Sequence, residues 1–322
     1  MTSTPYDDVF RTLLNDCPKL IIPVINEIFG EHYTGKEEIQ FFPNEHFLNQ
    51  QDGKEEKRIT DTMFIIKASK PKSYHVECQS TPDNSMLIRT FEYDTQIALD
   101  NGKIEESVLT VNFPNSAVLF LRCDKDTPDE MKIRLRTPGG ELTYKIPVIK
   151  QENYKIEEIF EKNLLFLIPF NIFVHEKQLH EYDTSEEKLE NLKWEYRNIR
   201  AKLEKLCQEK HISEYTKHML IDMSKKVLEN LACKYQNVTE GVKKVMGGKV
   251  LEYEAKTIKK EGIAEGYSQG ILQGISQGIS QGRIAAYVEM LNAGNITIKE
   301  AAKRLNMNEE DLNVYLEKDS NI

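Results

Sequence analysis

A chain of 322 residues with 39% hydrophobic and 30% charged side chains can bury a large core, which excludes a disordered or fibrous polypeptide. Its formal net charge of -9 excludes coating of nucleic acid through bulk charge and leaves only local basic surfaces for a polyanion. No apolar run approaches the ~18 to 20 residues of a membrane span, and the opening MTSTPYDDVF has no basic region followed by an apolar one, so the expectation is a cytoplasmic protein without a membrane segment.

Pro5 to Gly30 reads as two helices. Val9, Leu13 and Leu14 mark the apolar face of the first, and the second runs from after Pro18 to Gly30, a common helix stop. Gly35 to Lys57 is polar and predicts a loop with one short strand at Ile39 to Phe42. Then Ile59 to Lys67 and Tyr74 to Gln79 alternate as strands around a loop carrying Pro71, which predicts a hairpin.

The second strand places His75, Glu77 and Gln79 on one face and Tyr74, Val76 and Cys78 on the other. With pairing centred near Lys70, Asp61 falls opposite or diagonal to Glu77 and Gln79, with Cβ atoms roughly 4.5 to 8 Å apart. A solvated strand face explains the polar alternation equally well. Against it stands Asp61, a poor strand former between Ile59 and an apolar run. Two carboxylates that close repel unless a cation lies between them. Hard oxygens on rigid strands suit Mg²⁺, or Mn²⁺ in its place, and such a pair is a layout for phosphodiester hydrolysis.

Met86 to Leu99 predicts a helix with Leu87, Phe91 and Ala98 on one stripe and Arg89, Tyr93 and Gln96 on another. Arg89 and Tyr93, at i and i+4, form a candidate phosphate clamp; a structural ion pair for Arg89 and a half-buried Tyr93 are the alternative. Lys70 and Lys72, with Lys67 in or beside the hairpin loop, are further candidates for phosphate binding, and Arg122, Lys132, Arg134 and Arg136 fall in neighbouring elements. Ser107 to Val111 and Ser116 to Arg122 predict strands, the second central. Met131 to Arg136 and Glu141 to Val148 flank Thr137-Pro138-Gly139-Gly140 as a hairpin. From Ile156 a helix and a buried segment follow, stopped by Pro169.

From Thr184 the texture becomes helical. Thr184 with Glu187 reads as a capping box, and Leu189, Leu192, Tyr196, Ile199, Leu203 and Leu206 follow at spacings of three and four. Ile212 to Tyr235 supplies a second helix, so 184–258 predicts an antiparallel helical hairpin in which His211 and His218 pack rather than ligate metal. Glycine then recurs every fourth residue from Gly262 to Gly282, at a cost to a helix of roughly 5 kcal/mol against alanine. Residues 259–283 are therefore an element for homo-oligomerisation or a linker. The tail, 284–322, predicts a small helix-turn-helix-like pair. Its would-be recognition helix opens on Glu309, Glu310 and Asp311, charges that oppose DNA at that position. The five cysteines, Cys17, Cys78, Cys123, Cys207 and Cys233, are widely spaced with no Cys-x-x-Cys, so reduced core thiols are expected.

Several stretches carry a resemblance together: Tyr6 to Arg11, Asp61, Glu77-Cys78-Gln79 with the helix after it, Val118 through Gly140, Leu165 to Phe170, and the glycine repeat. The chain resembles the Rpn family of recombination-promoting, transposase-like nucleases in the PD-(D/E)XK superfamily. That resemblance implies an α/β fold over residues 1–183, with a restriction-endonuclease-like mixed β-sheet core flanked by helices, followed by an all-α C-terminal region. It implies a Mg²⁺-dependent DNA endonuclease linked to recombination or transposition, with Asp61 and Glu77 as metal ligands and Gln79 as the residue that orients water. It also makes Glu27 a candidate metal ligand from the first helices, and matches Asp7 to the family's opening motif, where a helix N-terminal charge is the alternative. The superfamily usually has Lys where Gln79 stands, and an amide dipole replaces a positive charge there. The rival is a catalytically weakened, nuclease-derived DNA-binding or oligomeric scaffold protein.

Overall fold

The computed structural model of the chain describes residues 4–41, 45–49, 55–59, 63–80, 85–247, 285–292, 295–305, 307–308 and 312. The chain forms two compact units, Met1–Ala255 and Lys256–Ile322. Among the described residues, no helix is long and apolar enough to cross a membrane.

The first unit is mixed α/β. Its strands are β1 (Glu38–Phe41), β2 (Glu45–Asn49), β3 (Glu55–Ile59), β4 (Met63–Lys67), β5 (Lys72–Gln79), β6 (Lys103–Glu105), β7 (Val108–Thr110), β8 (Asn115–Phe120), β9 (Glu130–Thr137) and β10 (Gly140–Lys150). Six form one sheet in the order β1-β4-β5-β8-β10-β9. The β5–β8 and β8–β10 pairs are parallel, and the outer pairs are antiparallel. The predicted hairpin is β4–β5, and the pair Met63–His75 centres it on Ser69, beside the expected Lys70.

Two expectations about strands change. The segment read as one strand from Ile59 to Lys67 is divided, because β3 ends at Ile59 and pairs with β2 in a separate ribbon. The segment from Gly35 to Lys57, most of it expected as loop, thus contributes strands β2 and β3, which form a ribbon apart from the six-stranded sheet. The strand expected at Ser107 to Val111 forms as β7, which among the described residues pairs with β6.

Helices cover both sheet faces. They are α1 (Pro5–Asp16), α2 (Ile21–Phe29), α3 (Met86–Asp100), α4 (Ile156–Glu161), α5 (Leu179–Thr184), α6 (Glu186–Gln208), α7 (Glu214–Leu231) and α8 (Gln236–Met246). Thr4 caps α1 through a reciprocal box in which its N–H donates to Asp7 Oδ2 at 2.7 Å and Asp7 N–H donates to Thr4 Oγ1 at 3.3 Å, so Asp7 serves the helix start. Gly30 ends α2 in the left-handed conformation, φ 64°. One continuous core joins α1, α2, α4 and α6 to α8 to the Tyr74, Val76 and Cys78 face of β5. On the opposite face, α3 packs Met86 and Leu87 against Val118, Phe120 and Ile146.

Pro169 stops nothing. It lies within a run of tight 3-10 turns, Leu165–Gln178. A residue without N–H is tolerated there because the fixed φ of proline matches the turn. The N-cap of α6 is Ser185, whose Oγ accepts from Lys188 N–H at 3.4 Å, whereas the Thr184 hydroxyl donates to the His180 carbonyl at 2.9 Å. The α6 stripe is buried as its spacing predicts, and α8 adds a third helix to the expected pair. Cys17 and Cys78 are buried thiols as expected, whereas Cys233 is exposed.

In the second unit, helix α9 (residues 285–292) and α10 (Ile298–Leu305) share a small core of Val288, Ala301, Ala302 and Leu312. The Thr297–Glu300 box forms, with Glu300 N–H donating to Thr297 Oγ1 at 3.3 Å. The glycine repeat 259–283 and the segment opening at Glu309 lie outside the described residues, Leu312 apart.

Candidate functional site

β5 alternates as predicted, but both of its faces are buried. Tyr74, Val76 and Cys78 face the large core, and His75 and Glu77 face the layer beneath α3, where they are 0% and 4% exposed. The reading of this face as solvated is therefore excluded. A buried polar face needs internal partners, and two elements far away in sequence provide them.

The first partner is Asp94 on α3. Its Oδ1 lies 2.8 Å from His75 Nδ1 and accepts from Ser116 Oγ at 2.7 Å. Ser116 comes from β8, directly beside His75 in the parallel register. The other ring nitrogen, His75 Nε2, lies 3.0 Å from Glu77 Oε1. The order across the site is Ser116, Asp94, His75, Glu77, with the Tyr93 ring edge-on to His75 at 5.9 Å.

Both imidazole nitrogens face carboxylate oxygens, and an ionised carboxylate only accepts, so both nitrogens carry hydrogen. Burial by itself disfavours the imidazolium, but the hydrogen bonds and charges of Asp94 and Glu77 more than offset it and raise the His75 pKa to about 10. His75 is thus a cation clamped between two carboxylates. It cannot act as a general base toward Ser116, whose hydroxyl donates to Asp94 instead, so a Ser-His-Asp nucleophile is ruled out. What the arrangement does is fix the orientation of Glu77, as a carboxylate–histidine pair fixes a metal ligand from behind.

Among the described residues, the other Asp94 oxygen, Oδ2, is buried without a hydrogen-bond partner, as is the Tyr144 hydroxyl. Burial and the Asp94 charge together push the Tyr144 phenol pKa upward. Glu77 and Asp94 present the hard oxygens that Mg²⁺ prefers. Among the described residues, however, no group of three or more His, Cys, Asp or Glu side chains is placed to hold a metal. The described residues therefore do not make up a magnesium shell.

Asp61, the predicted second ligand, lies outside the described residues. Gln79 ends β5 on the same face as Glu77, partly exposed. Arg89 and Tyr93 share a helix face as predicted, but Tyr93 is 8% exposed and packs on His75, so the phenol belongs to the interior. The buried positions of α3 are Met86, Thr90, Tyr93, Asp94, Ile97 and Ala98, so Ala98 of the expected stripe is buried, whereas Leu87 and Phe91 are only partly so.

Three cations read as candidates for phosphate binding lie away from Glu77. Lys70 and Lys72 sit at the loop end of the hairpin, and Lys72 pairs with Glu31 at 2.5 Å. The five residue steps from Lys72 to Glu77 along β5 span roughly 16 Å. Arg122 is held by both Glu176 oxygens, at 2.6 and 2.8 Å, and lies 4.9 Å over the Phe173 ring. Glu27 is on α2, whose Phe29 packs on Tyr74 across the sheet from Glu77, and it pairs with Lys162 at 2.6 Å. Glu27 and Glu77 do not meet.

Asp94 and Ser116 escaped the sequence because the first sits in an otherwise amphipathic helix and the second at the start of an apolar strand. Only the crossing of α3 over β5 and the β5–β8 register bring them together. No family model matches the chain, nor does any curated protein or solved structure.

Proposed function

We propose that the first unit is a restriction-endonuclease-like domain and a metal-dependent DNA endonuclease, in which Glu77 and Asp61 hold Mg²⁺ or Mn²⁺ and Gln79 orients the attacking water. The bound metal would lower the water's pKa and neutralise charge developing on the phosphate. One observation carries this: Glu77, two residues from the carboxyl end of a central parallel strand pair, is fixed from behind by the His75–Asp94 pair. Open α/β sheets bind ligands beyond the carboxyl ends of their strands. Recombination or transposition is the proposed setting.

The burial of Glu77 favours a second reading, a nuclease-derived DNA-binding or scaffold protein in which the ion set only holds α3 to the sheet. Nicking of supercoiled plasmid with Mg²⁺, Mn²⁺, Ca²⁺ or EDTA separates the two, with Asp61→Ala and the near-isosteric Glu77→Gln run beside wild type. Cleavage that requires Mg²⁺ or Mn²⁺ and disappears in both variants is the expected result. Its absence from wild type, or its survival in folded variants, leaves the scaffold.

A further inference from the structure

We infer that the β9–β10 hairpin is a docking ribbon for duplex DNA, separate from the Glu77 site. β10 continues well beyond the three residues that pair with β8, so most of the hairpin projects as a two-stranded ribbon at the sheet edge. Its pleat sorts the side chains. Met131, Ile133, Tyr144 and Ile146 point to the cluster under α3, whereas Lys132, Arg134, Arg136 and Lys145 take the alternate positions, with Lys132 directly opposite Lys145.

These four cations share two carboxylates. Glu130 lies 3.3 Å from Lys132 and 2.9 Å from Lys145, and Glu141 lies 3.2 Å from Arg134 and 2.9 Å from Arg136. The face therefore keeps an excess of two positive charges in a chain of net charge -9. All four cations are at least 56% exposed, so each can reach a partner.

Charge and shape together select that partner. Alternate residues of a strand are about 6.8 Å apart, which lays the three cations of β9 in a straight row. Duplex DNA presents a negative charge per ~1.7 Å of axis, and its major groove, about 12 Å wide, admits a two-stranded ribbon. The cations stand on the pleat side opposite to α3, whereas His75 and Glu77 face α3, so the ribbon positions a duplex and does not touch the reacting phosphate. Duplex DNA as the partner rests on the nuclease proposal; the basic face does not.

The test is binding of a fluorescein-labelled duplex of mixed sequence, followed by anisotropy in EDTA across a NaCl series. The full chain is compared with Lys132→Ala/Arg134→Ala/Lys145→Ala, with a charge-matched control, Lys205→Ala/Lys210→Ala/Lys234→Ala, at exposed positions on α6 and in the turns after α6 and α7, and with Glu141→Gln. The ribbon variant is expected to bind at least tenfold more weakly than the control, with a log–log salt slope shallower by about 2.7, since each phosphate left without its cation removes about 0.9. Glu141→Gln, which frees Arg134 and Arg136, is expected to bind more tightly and with a steeper slope. Equal losses in the two triple variants, a Glu141→Gln protein no tighter than wild type, or no binding of the duplex by wild type each overturn the inference. So does capture of phosphatidylcholine–phosphatidylserine vesicles in preference to the duplex. EDTA makes the readout blind to cleavage, so a protein that binds through the ribbon and never nicks keeps this surface and loses the nuclease, and the converse result does the reverse.

Discussion

The His75 imidazolium ties folding to pH in a direction opposite to that of an ordinary buried histidine. Its folded pKa of about 10 lies above the ~6.5 of an unperturbed histidine, so its contribution to stability is complete below about pH 6.5 and is lost as pH rises toward 10. The urea midpoint of the wild type should fall across that window. His75→Gln should be destabilised by about 3 to 5 kcal/mol at neutral pH, since it leaves two buried carboxylates without their cation, and its midpoint should be nearly flat from pH 7 to 10. A wild type no more sensitive to alkali than the variant would show that the three groups do not share charge in this way. At this scale the sequence was half legible. Alternation alone put His75, Glu77 and Gln79 on one face, but nothing local tells that Asp94 and Ser116 close the set, because each is brought by an element whose position is a tertiary fact.

Elements were legible where punctuation is strong, and two glycines show what that punctuation contributes. Gly30 sits at φ 64° with open space around the position of a Cβ, so backbone conformation alone decides its replacement, and Gly30→Ala should cost about 1 to 2 kcal/mol. Gly241, inside α8, has no such φ. A Cβ there would meet Lys193 Cε at 2.6 Å and Leu189 Cδ1 at 3.5 Å; the first neighbour is the far end of a flexible chain that can turn aside, and the second is ordinary packing. Gly241→Ala should therefore stabilise by up to about 1 kcal/mol through helix propensity. Thermal melts should move in opposite directions, by roughly 2 to 4 °C each, and shifts of the same sign would refute the contrast. The same logic explains where the sequence misled. Pro169 was a stop signal only for an α-helix, and the charged texture of Glu45 to Lys57 resembled loop because the β2–β3 ribbon lies outside the six-stranded sheet.

At the scale of the molecule, the shift of composition at Thr184 marks a change of element type and not of core. Leu189, Leu192, Tyr196, Ile199 and Leu203 of α6, with Leu220, Ile221, Val227 and Leu228 of α7, belong to the same buried cluster as Phe10, Leu14, Tyr74 and Phe166. Each such side chain contributes on the order of 1.5 to 3 kcal/mol by burial, so together they exceed the about 5 to 15 kcal/mol of net stability that a domain has to lose. A fragment ending at residue 183 should thus be insoluble or lack a cooperative melt. A fragment ending at Ala255, the limit of the first unit, should keep the principal thermal transition of the full chain. Circular dichroism melts of the two fragments decide the matter, and a cooperative transition in the shorter one would mean that the sheet and its first helices hold a core of their own, with α6 to α8 docked on it as a separate body.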